Sequence, residues 1–174
     1  MLEMLKFDLP KDQASIIKVI GVGGGGSNAV THMFKQGIKG VDFYICNTDV
    51  QSLSLSPVPN KISLGATGLG AGSIPSVGRD SALQREADIR GILEHNTSML
   101  FITAGMGGGT GTGAAPVIAR IARELGILTV GIVTKPFNFE GRKRLQQAEA
   151  GIEELKKYVD TILVICNDKL LDLS

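Results

Sequence analysis

Apolar, largely β-branched runs broken by polar, glycine-rich stretches set the rhythm of this chain. Ile16-Ile17-Lys18-Val19-Ile20-Gly21-Val22 is one such run, and Val41-Asp42-Phe43-Tyr44-Ile45-Cys46 is another. Similar runs recur at 98–103, 128–134 and 161–166, with a shorter one at 61–64. Runs of this length bounded by Gly, Asn and Asp predict strands buried on both faces. The stretches between them carry a helical period. Helices are expected over 27–36, ended by Gly37, over 77–94 with one solvated face, over 114–124, and over the charged stretch 142–158. Pro116 is expected in the first turn of its helix, where a missing N–H costs little, and Gly126 ends that helix. Residues 1–15 show no period and are expected to form a flexible tail ahead of a folded unit over 16–174.

Strands alternating with helices predict an α/β fold: a doubly wound, mostly parallel six-stranded sheet of Rossmann-like type, covered on both faces. In such sheets ligands bind beyond the carboxyl ends of the strands. Five polar segments fall at those ends: Gly23-Gly24-Gly25-Gly26, Asn47-Thr48-Asp49, the glycine run over 105–113, Thr134-Lys135-Pro136 and Asn167-Asp168.

The two glycine runs carry the chemistry. Each leads from a strand into a helix, where backbone N–H groups approach an anion unhindered and the helix adds partial positive charge. The first run, with Asp49 beyond it as a ribose-binding acid, fits a dinucleotide fingerprint, so an NAD(P)-dependent oxidoreductase is one reading. The second run, Gly105-Met106-Gly107-Gly108-Gly109-Thr110-Gly111-Thr112-Gly113, has no use in that fold. It is not a P-loop either, because no Lys-Ser or Lys-Thr follows. Its amides form an anion-binding nest, and the hydroxyls of Thr110 and Thr112 can serve phosphate oxygens or a Mg²⁺ shell. The glycine-rich loop over 65–75 is long enough to suspect function. Together these predict a polyphosphate held from both sides.

Composition narrows the classes further. At 174 residues the chain suits one domain, and its 23 glycines follow no collagen-like period. A net charge of +1 gives no electrostatic case for nucleic acid or an anionic membrane. No run is long enough to span a bilayer and no signal-peptide layout opens the chain, so the reading is cytoplasmic. Cys46 and Cys166 read as small thiols in apolar strands rather than a redox pair. No His or Cys cluster has metal-ligand spacing, and His32 and His95 read as surface residues.

The motif Gly107-Gly108-Gly109-Thr110-Gly111-Thr112-Gly113 resembles the signature of the tubulin/FtsZ family of GTPases. The stretches 23–28, 47–49, 134–141 and 167–171 resemble its bacterial cell-division branch. The resemblance implies GTP or GDP as ligand, with Mg²⁺ accompanying GTP. It implies that Gly24, Gly25, Gly26, Ser27 and Asn28 line the first phosphate loop, and that Gly107, Gly108, Gly109, Thr110, Gly111 and Thr112 cradle the triphosphate. Gly70, Ala71 and Gly72 would lie on the loop that senses the γ-phosphate. Pro136, Glu140 and Arg144 would meet the ribose and its surroundings, and Asn167 the guanine edge. Read without the family, Glu140 and Arg144 are an i,i+4 surface pair, and Asp49 is a Mg²⁺-shell or loop-anchoring residue.

No catalytic base is evident within these residues. The resemblance implies that hydrolysis is completed by an acidic loop of the adjacent subunit, lying beyond Ser174 in a second domain. It also implies a head-to-tail homopolymer at a midcell division ring, with other division proteins as partners. On this reading the chain is the nucleotide-binding half of a longer protein, with little hydrolysis of its own. Apolar surface normally covered by that second part would be exposed. A non-hydrolysing nucleotide-binding relative is a further alternative.

Overall fold

The computed structural model describes residues 16–167, so the expected tail over 1–15 and Asp168 lie outside the described residues. Six parallel strands form one sheet in the order β3-β2-β1-β4-β5-β6. They are β1 (Ile16–Val22), β2 (Val41–Asn47), β3 (Asn60–Ser63), β4 (Thr97–Gly105), β5 (Leu128–Lys135) and β6 (Thr161–Cys166). The helices are α1 (Gly23–Lys35), α2 (Val50–Ser54), α3 (Pro75–Gln84), α4 (Glu86–Glu94), α5 (Thr110–Glu124) and α6 (Arg142–Lys156). A 3-10 turn spans Asn138–Glu140.

Alternation along the strands divides the core between the two faces. Val19, Phe43 and Ile45 pack with Val30 of α1, Leu53 of α2 and Val58 on one face. Ile20, Val22, Leu100, Ile102 and Ala104 pack with α3, α4, α5 and α6 on the other. Side chains pointing to opposite sides of a pleated strand make this division automatic. The central strands are therefore apolar on both faces, as their sequences require.

The short helix α2 was not expected, and three larger departures from the expected boundaries concern α1, α5 and the stretch 77–94. Helix α1 starts at Gly23, ahead of the expected Ser27, because the glycine run itself takes the helical turn. Its buried positions Gly23, Gly26, Ser27 and Val30 fall on one stripe. A Cβ on Gly26 would run into the carbonyl of Thr103 on β4, so the missing side chain lets helix and sheet meet. Helix α5 likewise starts at Thr110, not 114, which places Pro116 in the helix interior. All residues of α5 from Thr110 to Ala119 are buried, and burial outweighs the low propensity of Gly and Pro. The single helix expected over 77–94 is two, interrupted at Arg85. There Arg85 has φ −109 and ψ 16, outside helical geometry, and its Nε donates to the carbonyl of Ser63 at 2.8 Å.

Lys18 is 2% exposed in the middle of β1. Its Nζ donates at 2.7 Å to the carbonyls of Ile92 and His95, closing the carboxyl end of α4. Burial pulls its pKa below the usual lysine value, with Asp42 opposing. The two cysteines stay apart. Cys46 on β2 is buried and its thiol is pushed up to about 12, while Cys166 lies on β6. Four strand spacings, roughly 19 Å, separate these strands, which excludes a disulfide. On β6, Leu163, Val164 and Ile165 are exposed.

Helices α4 and α5 are joined by a ring of charges. Arg90 meets Glu86 at 3.4 Å and Glu124 at 2.5 Å, and Arg120 meets Glu124 at 3.0 Å and also Glu86. Hydrogen bonds from Arg120 hold the Glu86 carboxyl below its ordinary range, and those from Arg90 do the same for Glu124. The folded protein therefore binds these protons more weakly than the unfolded chain. The stability they contribute is present above the unfolded value of 4.5 and is lost as pH falls through the lower folded values. Thermal melts from about pH 6 downwards should show a declining melting point, and Glu86→Gln should flatten that decline.

Candidate functional site

The chain winds outward from β1 to β2 and β3, then returns to place β4 on the other side of β1. Val22 of β1 is in register with Ala104 of β4, so the segments leaving both strands emerge side by side. This is the switch in strand order at which open α/β sheets bind ligands. The two glycine runs thus meet: a Cβ on Gly25 would lie 3.5 Å from the Gly105 Cα. Neither α1, whose N-cap is Val22, nor α5, whose N-cap is Gly109, has a side-chain cap. Two helix starts with uncapped N–H groups at one place form an electropositive backbone surface suited to an anion.

A cleft of about 370 Å³ opens between these starts. Of the expected residues, Gly24, Gly25, Gly108, Gly109, Thr110, Gly111, Pro136, Glu140, Arg144 and Asn167 line it. Val22, Gly23, Ser73, Gly105, Met106 and Thr134 line it as well; none of them had been singled out as a ligand contact, although all but Val22 lie in segments already flagged. Ser73 sits in the flagged loop over 65–75, at φ 60, where a non-glycine residue is rare.

The remaining expected residues lie outside the cleft wall. Gly26 is a packing residue. Ser27 is buried with a hydroxyl that has no partner among the described residues, and Asn28 is exposed. Gly70, Ala71 and Gly72 belong to the loop behind the wall, and a Cβ on Gly109 would come within 2.7 Å of Ala71 Cβ. Thr112 turns its hydroxyl inward to accept from the Gly107 N–H at 2.8 Å, which closes the second loop on itself. Gly107 has φ 114, open to glycine alone in practice.

Polar side chains brace the cleft from below. The Thr48 and Thr110 hydroxyls are 2.7 Å apart in a buried pair linking the end of β2 to the start of α5. Asp49 accepts from the N–H groups of Gln51 and Ser52 and from the Ser52 hydroxyl, capping α2. These bonds hold its carboxyl below the usual range. Asp49 is thus a loop anchor, and the dinucleotide reading loses its ribose-binding acid. At the mouth, Glu140 accepts from the Phe137 N–H at 2.6 Å and faces Arg144 at 3.5 Å. The i,i+4 pair therefore exists and also lines the cleft.

No group of three or more His, Cys, Asp or Glu among the described residues could hold a metal ion. A Mg²⁺ ion fits this cleft only as a companion of bound phosphates, which would supply its oxygen ligands. A larger and less polar groove, about 460 Å³, lies between α3, α5 and α6 behind the second loop. The uncapped start of α3, at Pro75 and Ser76, lies in its wall, but the starts of α1 and α5 and both glycine runs meet at the smaller cleft, which is therefore the better anion site.

Residues 16–174 match the family described as "Tubulin/FtsZ family, GTPase domain". The chain belongs to the tubulin/FtsZ family. Over 159 residues it is 60% identical to the cell division protein FtsZ of Porphyromonas gingivalis, covering 89% of this chain and 35% of that protein. Over 160 residues it is 59% identical to the cell division protein FtsZ of Buchnera aphidicola, covering 90% and 41%. The chain thus spans less than half the length of the curated relatives it matches. The empty FtsZ dimer of M. jannaschii shares its fold with a TM-score of 0.89 at 41% identity, covering 99% of this chain and 50% of that one. The six-stranded parallel sheet is therefore the GTPase-domain fold of this family. No described helix is long and apolar enough to cross a membrane.

Two neighbouring glycines of the family motif should respond differently to a methyl group. A Cβ on Gly109 would meet Ala71 Cβ at 2.7 Å and the Ile74 nitrogen at 2.8 Å, whereas one on Gly108 meets nothing within 4 Å. Gly109→Ala should therefore cost about 1–3 kcal/mol in chemical denaturation. Gly108→Ala should leave stability within about 0.5 kcal/mol.

Proposed function

We propose that this chain is the guanine-nucleotide-binding part of a self-assembling cell-division GTPase. The observation that carries the reading is the meeting of two uncapped helix starts at one cleft whose wall also holds Asn167. The N–H groups at the starts of α1 and α5 hold the phosphates from two sides. Thr110 keeps a lone pair for a donor or a cation even while paired with Thr48. Glu140 accepts from a ribose hydroxyl, and Arg144 beside it offsets phosphate charge. The amide of Asn167 donates to and accepts from the guanine edge, which separates guanine from adenine.

Phosphoryl transfer depends on positioning and charge stabilisation, and these residues supply both for the bound nucleotide. Among the described residues of the cleft wall the carboxylate is that of Glu140, already bonded to Phe137 and facing Arg144. An acidic loop from an adjacent subunit would orient the attacking water, so hydrolysis and head-to-tail polymerisation go together. The relative solved as a dimer supports self-association. Placement at a midcell ring and docking of other division proteins follow from the cell-division relatives and belong to the same proposal.

Calorimetric titration with GTP, GDP, ATP and NAD, with and without Mg²⁺, tests this. Guanine nucleotides should bind in preference to ATP and NAD, with little turnover by this chain alone. Asn167→Ala should reduce the guanine-over-adenine preference about tenfold, the worth of one to two hydrogen bonds. NAD binding in place of GTP would sink the proposal.

A further inference from the structure

Gln147 lies on α6 three residues beyond Arg144, behind the cleft rather than in its wall. Its Nε2 donates to the Gly107 carbonyl at 2.7 Å and, more weakly, to the Ser73 carbonyl at 3.4 Å. The Gly107 N–H is separately fixed by Thr112 at 2.8 Å. Both backbone polar groups of Gly107 are therefore held by side chains, from α5 on one side and α6 on the other. That clamp has a consequence for the next residue. In a trans peptide the C=O and the following N–H point in opposite directions. With the Gly107 carbonyl turned to Gln147, the Gly108 N–H is turned away from it.

A peptide between two glycines is the easiest kind to flip, because no Cβ resists either orientation. A Cβ on Gly108 would meet nothing within 4 Å, so no crowding at that residue's α-carbon opposes a flip. We infer that Gln147 is a positioning residue: it holds the Gly107–Gly108 peptide so that the Gly108 N–H serves the anion in the cleft. Through Ser73 the same amide ties the loop over 65–75, whose Ser73 lines the cleft, to the second glycine loop. A bound polyphosphate would then meet both loops already set in place, and the ordering cost would be met in folding rather than in binding. The inference rests on the reading of the cleft as a nucleotide site.

The test compares the parent chain with Gln147→Met, which keeps bulk, and Gln147→Lys, which keeps a donor. The ¹⁵N shift and order parameter of Gly108 are read in the free protein, and affinities for GDP and guanosine by calorimetry. Gln147→Met should lower the Gly108 order parameter and weaken GDP about three- to tenfold, with guanosine binding close to the parent's. Gln147→Lys should restore the parent's Gly108 order parameter. An unchanged Gly108 order parameter in Gln147→Met, or GDP affinity equal to the parent's, overturns the inference, as does an equal loss for guanosine. If the parent binds no guanine nucleotide, the nucleotide reading fails by itself. The Gly108 order parameter then decides the clamp: lower in Gln147→Met upholds it, and unchanged overturns it.

Discussion

The pairing of β1 with β4 is the contact on which the site depends. These strands are far apart in the sequence, and the segment between them builds one whole side of the sheet. Once Val22 and Ala104 are in register, two helices must start next to each other with nothing between them but glycine. Their first N–H groups have no caps and converge on one volume. An anion there replaces the missing caps, so the fold leaves donors to be satisfied by a ligand.

The glycines divide into two kinds of work within the same motifs. Gly26, Gly109 and Gly113 let backbone meet backbone: a Cβ on Gly113 would strike the Pro75 carbonyl, as one on Gly26 would strike that of Thr103. Gly24 and Gly108 have open space where a side chain would be and line the cleft. Close packing draws the loops together, and the open positions leave room for what binds between them. Stability and binding therefore rest largely on different residues of one run, with Gly109 serving both. The threonines divide similarly: Thr112 closes the loop on itself, while Thr110 braces it against Thr48 and still reaches the cleft.

Strand positions and the fold class were legible because buried parallel strands need continuous apolar runs, which little else in a chain imitates. The family was legible from residue order in its loops. Helix starts were not. Gly23 and Gly111 have the lowest helix propensity short of proline, and only burial against the sheet makes them helical. Pro116 was misplaced for the same reason. The break at Arg85 coincides with its bond to Ser63, a partner that no local pattern reveals.

What the amino-acid order determined by itself was the set of strands, their alternation with helices, and the gathering of glycine, Thr110 and Asn167 at the carboxyl ends. These are local properties, written in periodicity and composition. Tertiary structure alone decided which of those residues face the cleft. It set Asp49 to cap α2, buried Lys18 against the end of α4, and turned Gln147 toward Gly107. Each of these depends on a backbone group brought near by the winding of the sheet, and a hydrogen bond is fixed by that distance and angle rather than by residue type.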